Sequence, residues 1–424
     1  MKFITQIFKN MIIAGLVLGA SEILPVSLGS NLLVSLQPLI TFSNLDPNNS
    51  MLGFSWFKNG FTLQDSSTNC TFDSIFPVSG PVTMNGGTLT LNQDMQFTNV
   101  TTLNSLGTII GNGHDIHFPT SISGFPAGNN IFQAIVINIA SDITLTSTLT
   151  FLGACILNGN GHTITLSSGG AIVVGTASTL RMVDVTLKQI ANTNVQCTDG
   201  TSTLILDNLV WEQNNNYTFA QGAFQINNNV LFSGNEIFAY QSTATSTILA
   251  NGTLALDVGF TFSYDTNVSN LLAFTDNSSI LSLNNATVHA TAKGMSFTKG
   301  VMLVFGNSFI ASEIVNSVDN SITFGDCASG SNDLIFHITN SAQLEVLTGS
   351  LTYKNLNASS FIMDNTLSTL YMFAPTTLNL YQSITNLGPI TFGNNCTLAQ
   401  APGANINGGI NEQGTLNFAS LPSC

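Results

Sequence analysis

Thr179-Leu180-Arg181-Met182 is answered 24 residues later by Thr203-Leu204-Ile205-Leu206, and both stretches alternate apolar with polar side chains. The same phrase, a small or polar residue followed by Leu-x-apolar, stands at Thr88-Leu89-Thr90-Leu91, with Met95 and Phe97 after it. Further copies or near copies begin at Thr253, Ser279, Gln343, Thr369 and Thr415. Leu204 to Leu254 spans 50 residues, Leu254 to Ile280 spans 26 and Leu344 to Leu370 spans 26. Strict alternation marks half-buried strands rather than helices. A spacing near 25, once doubled, marks a repeat architecture. The reading is an all-β chain wound as a solenoid.

Composition agrees with that reading. Only 7% of the 424 residues are charged, while 44% are hydrophobic. Disorder needs low hydrophobicity and high charge, and no apolar run approaches the roughly 20 residues of a membrane-spanning helix. Stacked coils reconcile the two figures. Apolar residues fill a continuous interior, and Asn, Thr and Ser cover the outside without charge. Eight basic residues, of which Arg181 is the single arginine, stand against 22 acidic ones. A phosphate backbone calls for clustered Lys and Arg, so nucleic acid and anionic membrane surfaces are poor partners.

The first 21 residues read as an export signal. Lys2 and Lys9 supply positive charge, Met11 to Ala20 is apolar, and Leu18-Gly19-Ala20-Ser21 offers small residues for cleavage. Residues 22–80 lack the phrase and hold Pro25, Pro38, Pro47, Trp56, Phe57 and Phe61, which suits an irregular N-terminal cap. Residues 81–424 are assigned to the solenoid, with about 13 or 14 coils and, at roughly 4.8 Å per coil, a rod about 65 Å long. Cys70, Cys155, Cys197, Cys327, Cys396 and Cys424 are too dispersed for a zinc site. Cys155 is expected as a buried apolar residue, and Cys396 with Cys424 as either a bridge at the C-terminal end or two buried thiols.

Two phrases nearly repeat each other, Ile110-Gly-Asn-Gly-His114-Asp-Ile116 and Leu157-Asn-Gly-Asn-Gly-His162-Thr-Ile164. They resemble the coil-turn phrases of right-handed parallel β-helix proteins of the pectate-lyase-like kind. That resemblance implies a right-handed, single-stranded parallel β-helix with glycines at the corners. Gly169-Gly-Ala-Ile172, Phe232-Ser-Gly-Asn235 and Phe392-Gly-Asn-Asn395 are similar to the GGA[ILV] and FxxN signatures of chlamydial polymorphic outer-membrane proteins. This second resemblance implies a bacterial, surface-exposed, adhesin-like solenoid.

β-Helix enzymes that cut acidic polysaccharides need clustered carboxylates with an Arg, Lys or His on one outer face. Asp184, Asp207 and Asp257 are the candidates, because each lies three or four residues after the leading Leu of its phrase, with Arg181 and Lys188 near. Ordinary solvated surface carboxylates fit the same pattern. His114-Asp115 imitates a hydrolase Gly-His-Asp, but Thr163 replaces the Asp in the twin phrase, which favours a turn. Asn-x-Ser/Thr triplets such as Asn216-Tyr-Thr218 and Asn277-Ser-Ser279 are glycan acceptors only in a eukaryotic secretory route. No cofactor and no metal is expected. The functional expectation is an exported structural or adhesin-like protein that binds glycans or cell-surface proteins without catalysis. A polysaccharide lyase or hydrolase using the carboxylate face is the alternative, and a self-assembling fibre or coat subunit is a third reading.

Overall fold

A computed structural model describes residues 40–41, 61–63, 66, 69–72, 77–78, 81–98 and 103–424, apart from 123, 193, 292, 316–317, 320 and 329–333. The proposed signal segment at 1–21 and most of the proposed cap lie outside the described residues.

The chain is nearly all β and stacks as a parallel solenoid of about 14 turns. Many coils supply three short strands, such as Thr148–Leu152, Ala154–Asn158 and Thr163–Leu166. Among the described strands every pairing is parallel except a two-residue hairpin, Ile314–Val315 with Val318–Asp319. Described strands within 61–78 already join these ladders, since Asn69–Phe72 pairs in register with Thr88–Leu91.

Alternation does what the sequence implies. Along Thr179–Ile190, Leu180, Met182, Val185, Leu187 and Ile190 are buried while Arg181 and Lys188 face outward. Inward rings stack from coil to coil. Phe97, Phe118, Phe125, Phe132 and Phe151 form one file, with successive centroids 5.2 to 5.9 Å apart. Trp211, Tyr217, Phe232 and Phe238 form the densest knot in mid-rod.

The doubled spacing has a different origin from a skipped coil. Leu204 stacks on Phe224, whereas Leu254 stacks on Val230 in the next column group, beyond a corner. The phrase therefore marks a strand, and its copies fall on several ladders. Coil length varies from 19 residues, Phe132 to Phe151, to 36, Ser308 to Leu344.

Corners explain the Asn-rich composition. Asn85, Asn112, Asn160, Asn208, Asn228, Asn251, Asn285 and Asn395 all adopt positive φ, a region that Asn tolerates better than most residues. The amide of Asn160 donates to the Ile139 carbonyl of the preceding coil at 2.8 Å, and Asn112 donates likewise to Leu91 at 3.2 Å. In the Gly-Asn-Gly phrase, a Cβ on Gly159 would stand 2.5 Å from the Val185 Cβ, so the first glycine permits close stacking. The FxxN signatures have the same logic. Phe232 and Phe392 close strands facing inward, and Asn395 turns the chain at φ 61.

The expectation of a Cys396–Cys424 bridge is corrected. Cys424 bonds Cys327, with Cα atoms 5.3 Å apart and a sequence separation of 97. Cys396 cannot reach the outside because it points into the core, where its thiol donates to Met372 and Phe373 carbonyls. Cys155 is buried and free as expected, and Cys197 shares that state.

Candidate functional site: the outer carboxylate face and the polar cleft beside it

Asp184 and Asp207 come together, and Asp257 stands apart. Val183 pairs with Asp207 across one rung, so Asp184 lies beside Asp207 at the corner. Asp257 follows the strand that stacks on the far half of Ala223–Ser233, past the left-handed corner at Asn228. Its Oδ1 accepts from Asn284 Nδ2 at 3.0 Å. Lys188 is likewise turned to its own partner, Glu212, at 3.4 Å.

Asp207 is the most constrained of the three. Its side chain is 2% exposed, although it leaves the strand on the outer side. Arg181 donates through Nε at 2.8 Å and through Nη2, both to Oδ2. Asn227 Nδ2 adds a bond to Oδ2 at 2.9 Å, and Asn228 Nδ2 donates to Oδ1 at 2.6 Å. Burial pushes the Asp207 carboxyl up, but the donors of Arg181, Asn228 and Asn227 and the guanidinium charge outweigh it and hold it below the ordinary value of 3.8. An ionised carboxylate has about four acceptor sites, and four donors occupy this one. Such a group clamps three coils together and has little left to offer a substrate. Asp184 is engaged similarly, accepting from Asn208.

The histidines follow one pattern. Each of the five lies 2.5 to 3.8 Å from a carboxylate: His114–Asp94, His117–Asp115, His162–Asp142, His289–Glu313 and His337–Asp364. The two Gly-Asn-Gly-His phrases are geometrically equivalent. In each, an Asp of the preceding coil faces the His Nδ1 and accepts the backbone N–H of the following residue, Asp115 or Thr163. Asp115 is thus not the principal partner of His114, and the turn reading of that phrase accounts for both copies. The backbone N–H of Asp115, followed by His114, holds Asp94 below its ordinary value.

One outward column was not singled out from the sequence. Gln96, His117, Asn138 and Asn158 stack in register on successive coils. Asn158 Nδ2 donates to Asn138 Oδ1 at 3.1 Å. An open cleft of about 390 Å³ is lined by Gln96, His117 and Asn138 of this column together with Thr98, Pro119 and Ala140. The signal was present as polar residues following inward Met95, Ile116, Ile137 and Leu157, but it becomes visible only once the register is known.

Among the described residues no group of three or more His, Cys, Asp and Glu is arranged to hold a metal ion, and no helix is long and apolar enough to cross a membrane. No protein-family model, curated protein or solved structure matches the chain.

Proposed function

We propose that this is an exported, structural and adhesin-like solenoid that binds glycans or cell-surface proteins along its weakly charged outer faces. The carrying observation is the contrast between its two outer features. The Asp207 carboxylate is committed to four donors, while Gln96, His117 and Asn138 line an open cleft with amide and imidazole groups. Neutral amides spaced at one coil, roughly 4.8 Å, suit an extended hydroxyl-rich chain, contacted by many weak hydrogen bonds. The export signal expected from the sequence at residues 1–21 is what supports contacts made outside the cell.

The test is binding to a glycan panel and to cell surfaces, alongside a turnover assay on polysaccharides. Binding is expected with little change between about 50 and 300 mM salt, because few charges take part. His117→Ala combined with Asn138→Ala is expected to weaken it severalfold. Polysaccharide cleavage that disappears in Asp207→Asn with Asp257→Asn overturns this reading in favour of an enzyme.

A further inference from the structure

The strand Thr163–Leu166 separates two clefts on the outside of the rod. Asn160, just before it, lines the cleft already described, and Leu166, at its end, lines a second of about 480 Å³. Corners of three successive coils build this second cleft: Ser167 to Gly170, then Gln189, Ala191 and Asn194, then Asn214 with Asn215. No charged side chain is in the lining. Lys188 and Glu212, beside it, are turned to each other at 3.4 Å. The walls are fixed. Asn194 is 8% exposed, its Nδ2 donates to the Gly170 carbonyl at 2.8 Å, and its Oδ1 accepts the Ala191 N–H at 2.8 Å.

Gln189 is the informative residue. Leu187 pairs with Trp211 and Ile190 with Gln213, so Lys188 and Gln189 together stand opposite the single Glu212. This is a β-bulge, a device that re-aims a side chain. Gln189 adopts φ 60 and carries the longest side chain of any described residue at positive φ. Asn112 and Asn160 offset the same strain with a bond to the preceding coil. The Gln189 side chain makes no hydrogen bond among the described residues and lines the cleft instead. Strain that no internal contact offsets concentrates at functional sites.

On the reading of the rod as a glycan binder, on which this assignment rests, we propose that the cleft is a second glycan site. It takes a short stretch of uncharged sugar chain and holds it through the Gln189 amide. Amides and serine hydroxyls both donate and accept, which matches sugar hydroxyls. The volume lies within the range of ordinary ligand pockets, roughly 300–1,000 Å³. A sulfated or uronate chain finds no counter-charge in the lining. The apolar lining is Leu166, Ala171 and Ala191 alone, which gives a large peptide side chain no seat.

Calorimetric titration and hydrogen exchange on the full chain test this, with linear uncharged oligosaccharides and their sulfated counterparts as probes. The uncharged probes are expected to slow exchange at 167–171 and 189–194 and to bind at least tenfold more tightly than the sulfated ones. Gln189→Gly keeps the left-handed backbone without strain and removes the amide. It is expected to melt at or above the parent temperature. In a His117→Ala, Asn138→Ala background, which silences the first cleft, it is expected to weaken binding about five- to tenfold. Protection confined to 96–98, 117–120 and 138–140 overturns the second site and leaves the glycan reading standing, whereas no binding of any glycan overturns both. Unchanged affinity in Gln189→Gly, preference for the sulfated probes, or protection of this cleft by an unrelated peptide in place of sugar also overturns the assignment.

Discussion

The Arg181 guanidinium reaches across one rung to the Asp207 carboxylate, leaving the arginine side chain 41% exposed and the aspartate 2% exposed. Asn227 and Asn228 approach the same carboxylate from the next coil. Three coils are tied through one buried anion. Asp207→Ala removes the shared acceptor and strands several donors, at a cost of about 2–4 kcal/mol. Asp207→Asn retains the shape but sets an amide N–H₂ against donors, and is expected to cost about 1–3 kcal/mol. Chemical denaturation of the two variants checks both values, with glycan binding as the control expected to stay unchanged.

The same carboxylate sets an acid limit on stability. Because its folded-state value lies below the ordinary 3.8, the stabilisation is fully present above that ordinary value. It is lost as pH falls through the lower, folded one. Asp94 acts in the same direction, through the backbone N–H of Asp115 and then His114. The melting temperature is expected to fall steeply below about pH 4. In Asp207→Asn that fall should be shallower, since the substituted amide does not titrate; equal slopes in a pH series of thermal melts would remove Asp207 from the account.

Alternation was legible from Leu180 and Leu204 alone, because an inward Leu every second residue leaves little other choice. Register was not. Phe224 continues the Leu204 column without any Leu-x-Leu phrase, since the interior requires an apolar side chain and not a particular one. Asp207 looked outward by parity, and its parity is correct, yet Asn227 and Asn228 cover it from a coil whose alignment only the structure supplies. Asp257 seemed to share its face because both follow a Leu by three residues. The bend at Asn228 separates them. The Cys327–Cys424 bridge joins points 97 residues apart, and no local pattern records such a meeting.

Corner asparagines have two separable jobs. Asn160 holds φ at 49° and donates to the Ile139 carbonyl. Asn160→Gly keeps the conformation and loses the bond, so about 1 kcal/mol is expected. Asn160→Ala loses the bond and adds left-handed strain, for about 2–3 kcal/mol in total. Urea titrations that rank alanine above glycine in stability would show that backbone strain is not what selects Asn here.

The mid-rod ring cluster is where a single truncation should be felt most. Phe238 is 1% exposed, and its ring lies within 6.4 Å of those of Trp211, Tyr217, Phe219, Phe224, Phe232 and Phe262. These neighbours come from the coils on both sides as well as its own, so they cannot all relax into the space a truncated side chain leaves. Phe238→Ala is expected to cost about 3–5 kcal/mol, and Phe238→Leu, which refills much of the volume, about 1–2 kcal/mol. Because coils contact only their neighbours, the loss should be local before it is global. Hydrogen exchange in Phe238→Ala should accelerate first around residues 210–265, with the terminal coils protected as in the parent protein. Uniform acceleration along the rod would instead show that the solenoid opens as one cooperative unit.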